Sequence, residues 1–393
     1  MRFALFGAGL IAITYGLARF AFGLFVPPIR ADLELSAEVV GVIGALPLLS
    51  FIPASFAAPV LARRMGARYT AMLSGTLAAS GLLVISLAPN GLSLGLGVFA
   101  CGVSTGLMMP ALSGAMQAVV DRSMHGRVSS IMNAGTSVGV VVAVPTVLFL
   151  ADAWRITYGS FAVLAVVGLV ATWFVIPSVS RVTPSEAAPP ISRGQWWRLG
   201  RLSVFAFLMG FVSAAYWIFA PDLVVTLGDL SPGATGWLWL AVGIAGLGGA
   251  AVADLADRNN PPITQALMLM MLSTSLALLA ASPGNLFLAV FSALVFGLAY
   301  MSLTGLYLMT GIRLLPGRLS MGPVLPFVAI SLGQAAGSPL VGVLIDRFGY
   351  DEGFAMFAAM GVVIAILSPL YPQAVGEKAP GEAPGEARGQ AGP

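Results

Sequence analysis

The stretch Thr14–Arg30, TYGLARFAFGLFVPPIR, decides how the whole chain is read. It closes an apolar run that starts after Arg2, longer than the core of a secretory signal and long enough to cross a bilayer, which takes about 20 residues. We therefore expect an uncleaved first membrane helix. Arg19 sits eight residues before Pro27, about 12 Å along a helix rising 1.5 Å per residue. That is too deep for the side chain to reach the surface. A central arginine costs from about 2.5 to over 10 kcal/mol unless it is paired or hydrated. Arg19 must therefore face a cavity, and it needs a partner.

The composition agrees with a lipid environment. Hydrophobic residues make up 58% of the 393, and charged residues only 9%, against about a quarter in soluble domains. The net charge of +3 and the lack of basic clusters interleaved with aromatics give no nucleic-acid partner. Cys101 is the single cysteine and His125 the single histidine. No disulfide, metal site or cofactor is expected, and no catalytic constellation or phosphate loop suggests an enzyme.

Breaks at Pro, Gly and charge clusters divide the chain into twelve apolar spans near 3–26, 37–62, 70–88, 94–118, 128–150, 157–176, 202–224, 234–253, 263–282, 286–312, 319–344 and 354–372. With both termini on the cytoplasmic side, the outer loops hold only Arg30, Arg155 and Arg347, and every other loop Lys or Arg falls inside. The implied organisation is a six-helix bundle over 1–176, a cytoplasmic linker over 177–201, a second bundle over 202–372 and a disordered tail over 373–393.

The chain also repeats weakly at a near-constant offset. Ser36 and Gly41 match Ser231 and Gly236, and Gly102 matches Gly297, all 195 apart. Pro27 and Pro221 are each expected to end the first span of a half. WRITYGSF from Trp154 matches YDEGFAMF from Tyr350. Gly135 and Gly139 match Gly333 and Gly337. Two six-helix halves in one orientation imply a parallel repeat about an axis along the membrane normal. This all-α, twelve-span arrangement resembles the major facilitator superfamily of secondary transporters. Within it, YGLARFAFGLFVP resembles the first helix of a bacterial subgroup with an Arg-Phe-Ala signature.

The resemblance extends to a loop after the second span, which in the family reads G-x-L-a-D-R-x-G-R. Here PVLARRMGAR supplies Leu61, Arg64, Gly66 and Arg68, but Arg63 stands where the family has Asp. The matching loop after the eighth span supplies Asp254, Asp257 and Arg258. The resemblance implies an inner gate built from Arg64, Arg68, Asp254, Asp257 and Arg258, with the lock moved to the second copy. Helix 5 lacks the Gly-Pro of family exporters, since Val140 follows Gly139.

In the family, helices 1, 4, 7 and 10 line the central cavity. On those helices this chain offers Tyr15, Arg19 and Phe22; Ser104, Thr105 and Met108; Ser213, Tyr216 and Trp217; and Tyr300, Thr304 and Tyr307. Helices 5 and 11 add Asn133 and Gln334. The triplets of helices 1 and 10 are spaced i, i+4, i+7, on one face. No Asp or Glu falls in mid-span, and Asp222, at the outer end of the seventh, comes nearest. Arg19 thus pairs with a substrate anion, or it bonds the protein's own carbonyls, Asn133 or water, or stacks on Tyr216 or Trp217.

Three functions are carried forward. One is secondary transport of a small organic anion at the bacterial inner membrane by a monomer, by proton coupling, exchange with a counter-substrate or uniport. The second is efflux of amphiphiles with Arg19 structural. The third is a non-transporting membrane receptor.

Overall fold

The computed structural model describes residues 1–121, 124–176, 191–315 and 321–372, among which helix is the only regular secondary structure. The expected tail and most of the expected linker lie outside them. The helices are α1 (Arg2–Leu24), α2 (Val26–Leu33), α3 (Ala37–Ser86), α4 (Gly91–Val119), α5 (His125–Leu150), α6 (Trp154–Val175), α7 (Arg193–Thr226), α8 (Thr235–Asn259), α9 (Pro261–Ala281), α10 (Leu286–Leu314), α11 (Met321–Phe348) and α12 (Tyr350–Ile366). Nine described helices are long and apolar enough to span a bilayer. α3, with 50 residues, is about 75 Å of helix and crosses twice. With α8 and α12 the total is the twelve crossings of the sequence reading.

Several boundaries differ from expectation for local reasons. α3 joins the second and third spans and breaks only at Gly66, whose φ of 87° is open to glycine and strained for other residues. The glycine of the ARRMGAR loop is thus the turn itself. Pro27 and Pro28 do not close the first helix. The break is at Phe25 (φ −99°, ψ 6°), and both prolines sit in the first turn of α2, where the missing N–H costs nothing. Pro221 lies inside α7, which runs on to Thr226. α7 also starts earlier than expected, at Arg193, so the last nine residues of the expected linker are helical. Ser192 accepts the Gln195 N–H, and the Gln195 side chain accepts the Ser192 N–H.

The repeat takes physical form in backbone contacts. A Cβ on Gly135 would strike the Ala8 carbonyl and one on Gly139 the Ala12 carbonyl, so α5 rides directly on α1. Gly333 and Gly337 sit in the same way on the Phe207 and Phe211 carbonyls, so α11 rides on α7. Gly102 of α4 meets Pro47 and Gly297 of α10 meets Val242. Each glycine of the repeat marks a close helix crossing, repeated in the second half.

α1–α6 and α7–α12 meet mainly where α3 packs on α11 and α5 on α8. At one end the join is polar. Arg30 on α2 bonds Asp222 of α7 at 2.6 Å and also Tyr350 of α12, which in turn donates to Asp222. The Asp346 carboxylate accepts the Ala37 and Glu38 N–H groups at 3.0 and 2.7 Å, at the positive N-terminus of α3. Backbones also touch there, Gly41 against Ser338 and Gly342 against Ala37. This end of the molecule is shut.

Candidate functional site

Arg19 lies in Ala12–Phe20 of α1, which forms a π-helix. Such wide turns are uncommon and concentrate at functional positions. Here the segment is pinned on one side, where Gly16 abuts Gly139 and Thr105 donates to the Thr14 carbonyl. The other side turns Arg19 toward the seam between the bundles.

A partly open pocket lies at that seam. α1 contributes Arg19, Phe20, Phe22 and Gly23. α3 contributes Gly44, Pro47 and Leu48. α7 contributes Ala214, Trp217 and Ile218, and α11 contributes Gln334 and Ser338. The lining helices therefore correspond to the first, second, seventh and eleventh spans. The fourth and tenth, expected to line the cavity, stand behind it. The cause is the shut end, where α3 and α11 close over the site.

Arg19 is only 7% exposed, and its Nη1 has no hydrogen-bond partner. The guanidinium lies over Phe20 at 5.2 Å and Phe51 at 5.0 Å, rather than on Tyr216 or Trp217. Trp217 is occupied otherwise, with edge contacts to Trp239, Phe296 and Tyr300. Among the described residues, no carboxylate pairs with Arg19; the ion pairs they form are Arg30–Asp222 and Arg155–Asp32. Two cation–π contacts are worth about 0.5–2 kcal/mol each, which does not meet the upper range of the cost of burying an arginine. The charge of Arg19 has no counter-charge among the described residues.

Of the residues singled out from the sequence, Arg19, Phe22, Trp217 and Gln334 come together in the pocket. Tyr300 and Ser213 lie one layer behind, where the Gln334 amide donates to the Tyr300 hydroxyl at 3.1 Å and faces the Ser213 hydroxyl at 3.5 Å. The others lie elsewhere. Tyr216 stacks on Phe296 and bonds Ser292 inside the second bundle. Thr304 bonds the carbonyl of Tyr300. Tyr307 is buried against Tyr371. Met108 is buried with Leu112 and Met132 in an apolar cluster that Tyr15 also joins. Asn133 is exposed on α5. Ser104 and Thr105 are buried and bonded within the first bundle. Phe20, Phe51, Pro47 and Ser338 were not singled out, since no local pattern marks which face of α3 or α11 meets α1.

Of the expected gate, Arg64 is exposed, and Arg68 donates to the Ile176 carbonyl beside the Trp173 ring, tying the second half of α3 to the end of α6. Asp254, Asp257 and Arg258 fall in the last turns of α8, and their side chains lie outside what is described. Asp222 is 2% exposed and paired, instead of lying free at a helix end. Burial works against the charge of Arg30, but Asp222 and Tyr350 outweigh it and raise its pKa from an already high value. His125 bonds the Val120 carbonyl.

Twelve crossings in two matching sets around a buried cationic pocket define a multi-pass membrane protein of transporter architecture. The chain belongs to the Major Facilitator Superfamily, whose family model matches residues 8–321. It is 25% identical over 391 residues to the Transcription regulatory protein OpdE of Pseudomonas aeruginosa, an alignment covering 92% of this chain and 93% of that one. The fold matches a point mutant of the nucleoside transporter NupG with a TM-score of 0.79 at 12% identity, covering 94% of this chain and all of that one. A bacterial homologue of the lysosomal transporter Spinster, inward-facing and unoccupied, matches at 0.77 and 14%, covering 94% and 95%. A POT family transporter in complex with 5-aminolevulinic acid matches at 0.75 and 13%, with the same coverage.

Proposed function

We propose that the protein is a secondary transporter that carries a small organic anion across the bacterial cytoplasmic membrane, with both termini inside, by rocking its two bundles about the pocket. The observation that supports the anion is the Arg19 guanidinium, buried with an unpartnered Nη1 and no carboxylate paired with it among the described residues. A guanidinium favours bidentate carboxylate or phosphate. Rocking follows from the repeat. Arginine holds its proton at any working pH, so the coupling ion, if a proton, must travel on another group or on the substrate.

The test is a thermal-shift screen of detergent-purified protein with carboxylates against lipophilic cations, followed by uptake into proteoliposomes. A ligand that binds the native state raises Tm with occupancy. Carboxylates are expected to stabilise the protein, Arg19→Lys to retain part of the effect and Arg19→Ala to lose it. Stabilisation by cations that survives Arg19→Ala would favour amphiphile efflux instead. A second reading, a membrane receptor that signals without moving solute, draws on the name of the Pseudomonas aeruginosa relative. It predicts ligand binding with no solute flux in proteoliposomes.

A further inference from the structure

Resting on the anion reading, we infer that the substrate is an aromatic monocarboxylate: one negative charge on an otherwise apolar, ring-sized body. The polar capacity of the pocket carries the argument. Its lining includes three polar side chains, Arg19, Gln334 and Ser338. The Ser338 hydroxyl donates to the Gln334 carbonyl at 2.7 Å, and the Gln334 amide donates to Tyr300. The Ser338 hydroxyl and the Gln334 amide N–H are thus engaged within the wall, Ser338 through the main-chain carbonyl of Gln334. Arg19 Nη1 and Trp217 Nε1 are the buried donors of the lining left without a partner, and of the two only Arg19 carries a charge.

That leaves a site with one cationic point and no lining carboxylate. A dicarboxylate, a polyol or a phosphosugar would set its further polar groups against Pro47, Leu48 and Ile218, where they find no partner. The ammonium of an amino acid would have no carboxylate to meet. The remaining nine lining residues are apolar in the main, and three of them, Phe20, Phe22 and Trp217, are aromatic. Phe20 and Trp217 stand 5.6 Å apart across the seam, and Phe22 lies on the α1 side. The guanidinium lies over the Phe20 and Phe51 rings, and its unpartnered Nη1 is a donor for a carboxylate. A ring attached to that carboxylate can pack against the Phe20, Phe22 and Trp217 rings of the wall.

The experiment is isothermal titration of the full-length protein in detergent with benzoate, acetate, phthalate and benzylamine, repeated on Arg19→Lys and Phe51→Leu. Benzoate is expected to bind at least tenfold more tightly than acetate or phthalate, and benzylamine not at all. Arg19→Lys should weaken benzoate about tenfold or more, and Phe51→Leu, which keeps the charge and loosens its seat, should weaken it less. If acetate or phthalate equals benzoate, the aromatic monoanion is overturned and the anion reading stands. If benzylamine binds as well as benzoate, if Arg19→Lys leaves benzoate unchanged, or if none of the four binds, both fall. Gel filtration and Tm of each variant separate lost binding from lost folding.

Discussion

At the scale of single residues, Arg19 and Asp222 are opposite cases of one rule. A charge taken out of water must be met. Asp222 is met twice, by Arg30 and Tyr350, and Arg19 is met only by ring faces. Substitution should therefore act in opposite directions. Asp222→Asn keeps the shape but leaves Arg30 without its counter-charge. Removing one partner of a fully buried pair costs about 3–5 kcal/mol. Arg30 is 23% exposed, so water takes over part of the role, and a loss of about 1–3 kcal/mol is the reasonable scale. A drop in Tm of several degrees in the ligand-free protein would show it; an unchanged Tm would mean the pair contributes nothing to the shut state. Arg19→Leu removes an uncompensated charge and should leave the ligand-free Tm equal or higher, while ligand-induced stabilisation disappears. Arg19 stood out in the sequence because cost alone identifies a deep arginine. The partners of Asp222 did not, because they come from α2 and α12, far away in the chain.

At the scale of helices, the sequence was legible where spacing reports local geometry. Twelve apolar runs and the glycine pairs each follow from a periodicity or a count, and the glycine pairs prove to be helix crossings. What could not be read is set by tertiary packing. The π-helical turn at Ala12–Phe20 depends on α5 and α4 holding one side of α1. The replacement of the fourth and tenth spans by the second and eleventh as pocket walls depends on the tilt between bundles. The crossings give a sharp test. Gly135→Val and Gly333→Val drive a side chain into the carbonyls of Ala8 and Phe207, and overpacking of this kind costs about 1–3 kcal/mol. Gly200 and Gly243 have open space around the missing Cβ. Gly200→Ala and Gly243→Ala should be neutral or stabilise by up to about 1 kcal/mol, the helix-propensity gain. Thermal denaturation of the four variants should separate them into two pairs. If the valine variants melt with the alanine ones, the crossings are looser than the backbone contacts indicate.

At the scale of the molecule, the shut end is where the two bundles are joined by hydrogen bonds and an ion pair. Asp346 caps α3 across the seam, Arg30 reaches Asp222 and Tyr350, and α3 and α11 touch backbone to backbone at Gly41 and Gly342. If the bundles rock about the pocket, this join must separate once in every transport cycle. Binding needs only the pocket; transport needs the separation. Glu38 and Asp346 are exposed and adjacent across the seam, and the single native cysteine, Cys101, is buried. The pair Glu38→Cys and Asp346→Cys can therefore be joined by a short thiol-specific cross-linker, cleavable by reduction, without modifying the native thiol. Cross-linked protein in proteoliposomes is expected to lose flux by at least tenfold and regain it on reduction, while its affinity for the carboxylate in detergent changes by less than about threefold. Flux that persists through complete cross-linking would show that this end does not open during transport, and the rocking of the two halves would have to be abandoned. Loss of affinity together with flux would place the effect of the link in the pocket instead, through α3 and α11, which both close the end and line the site.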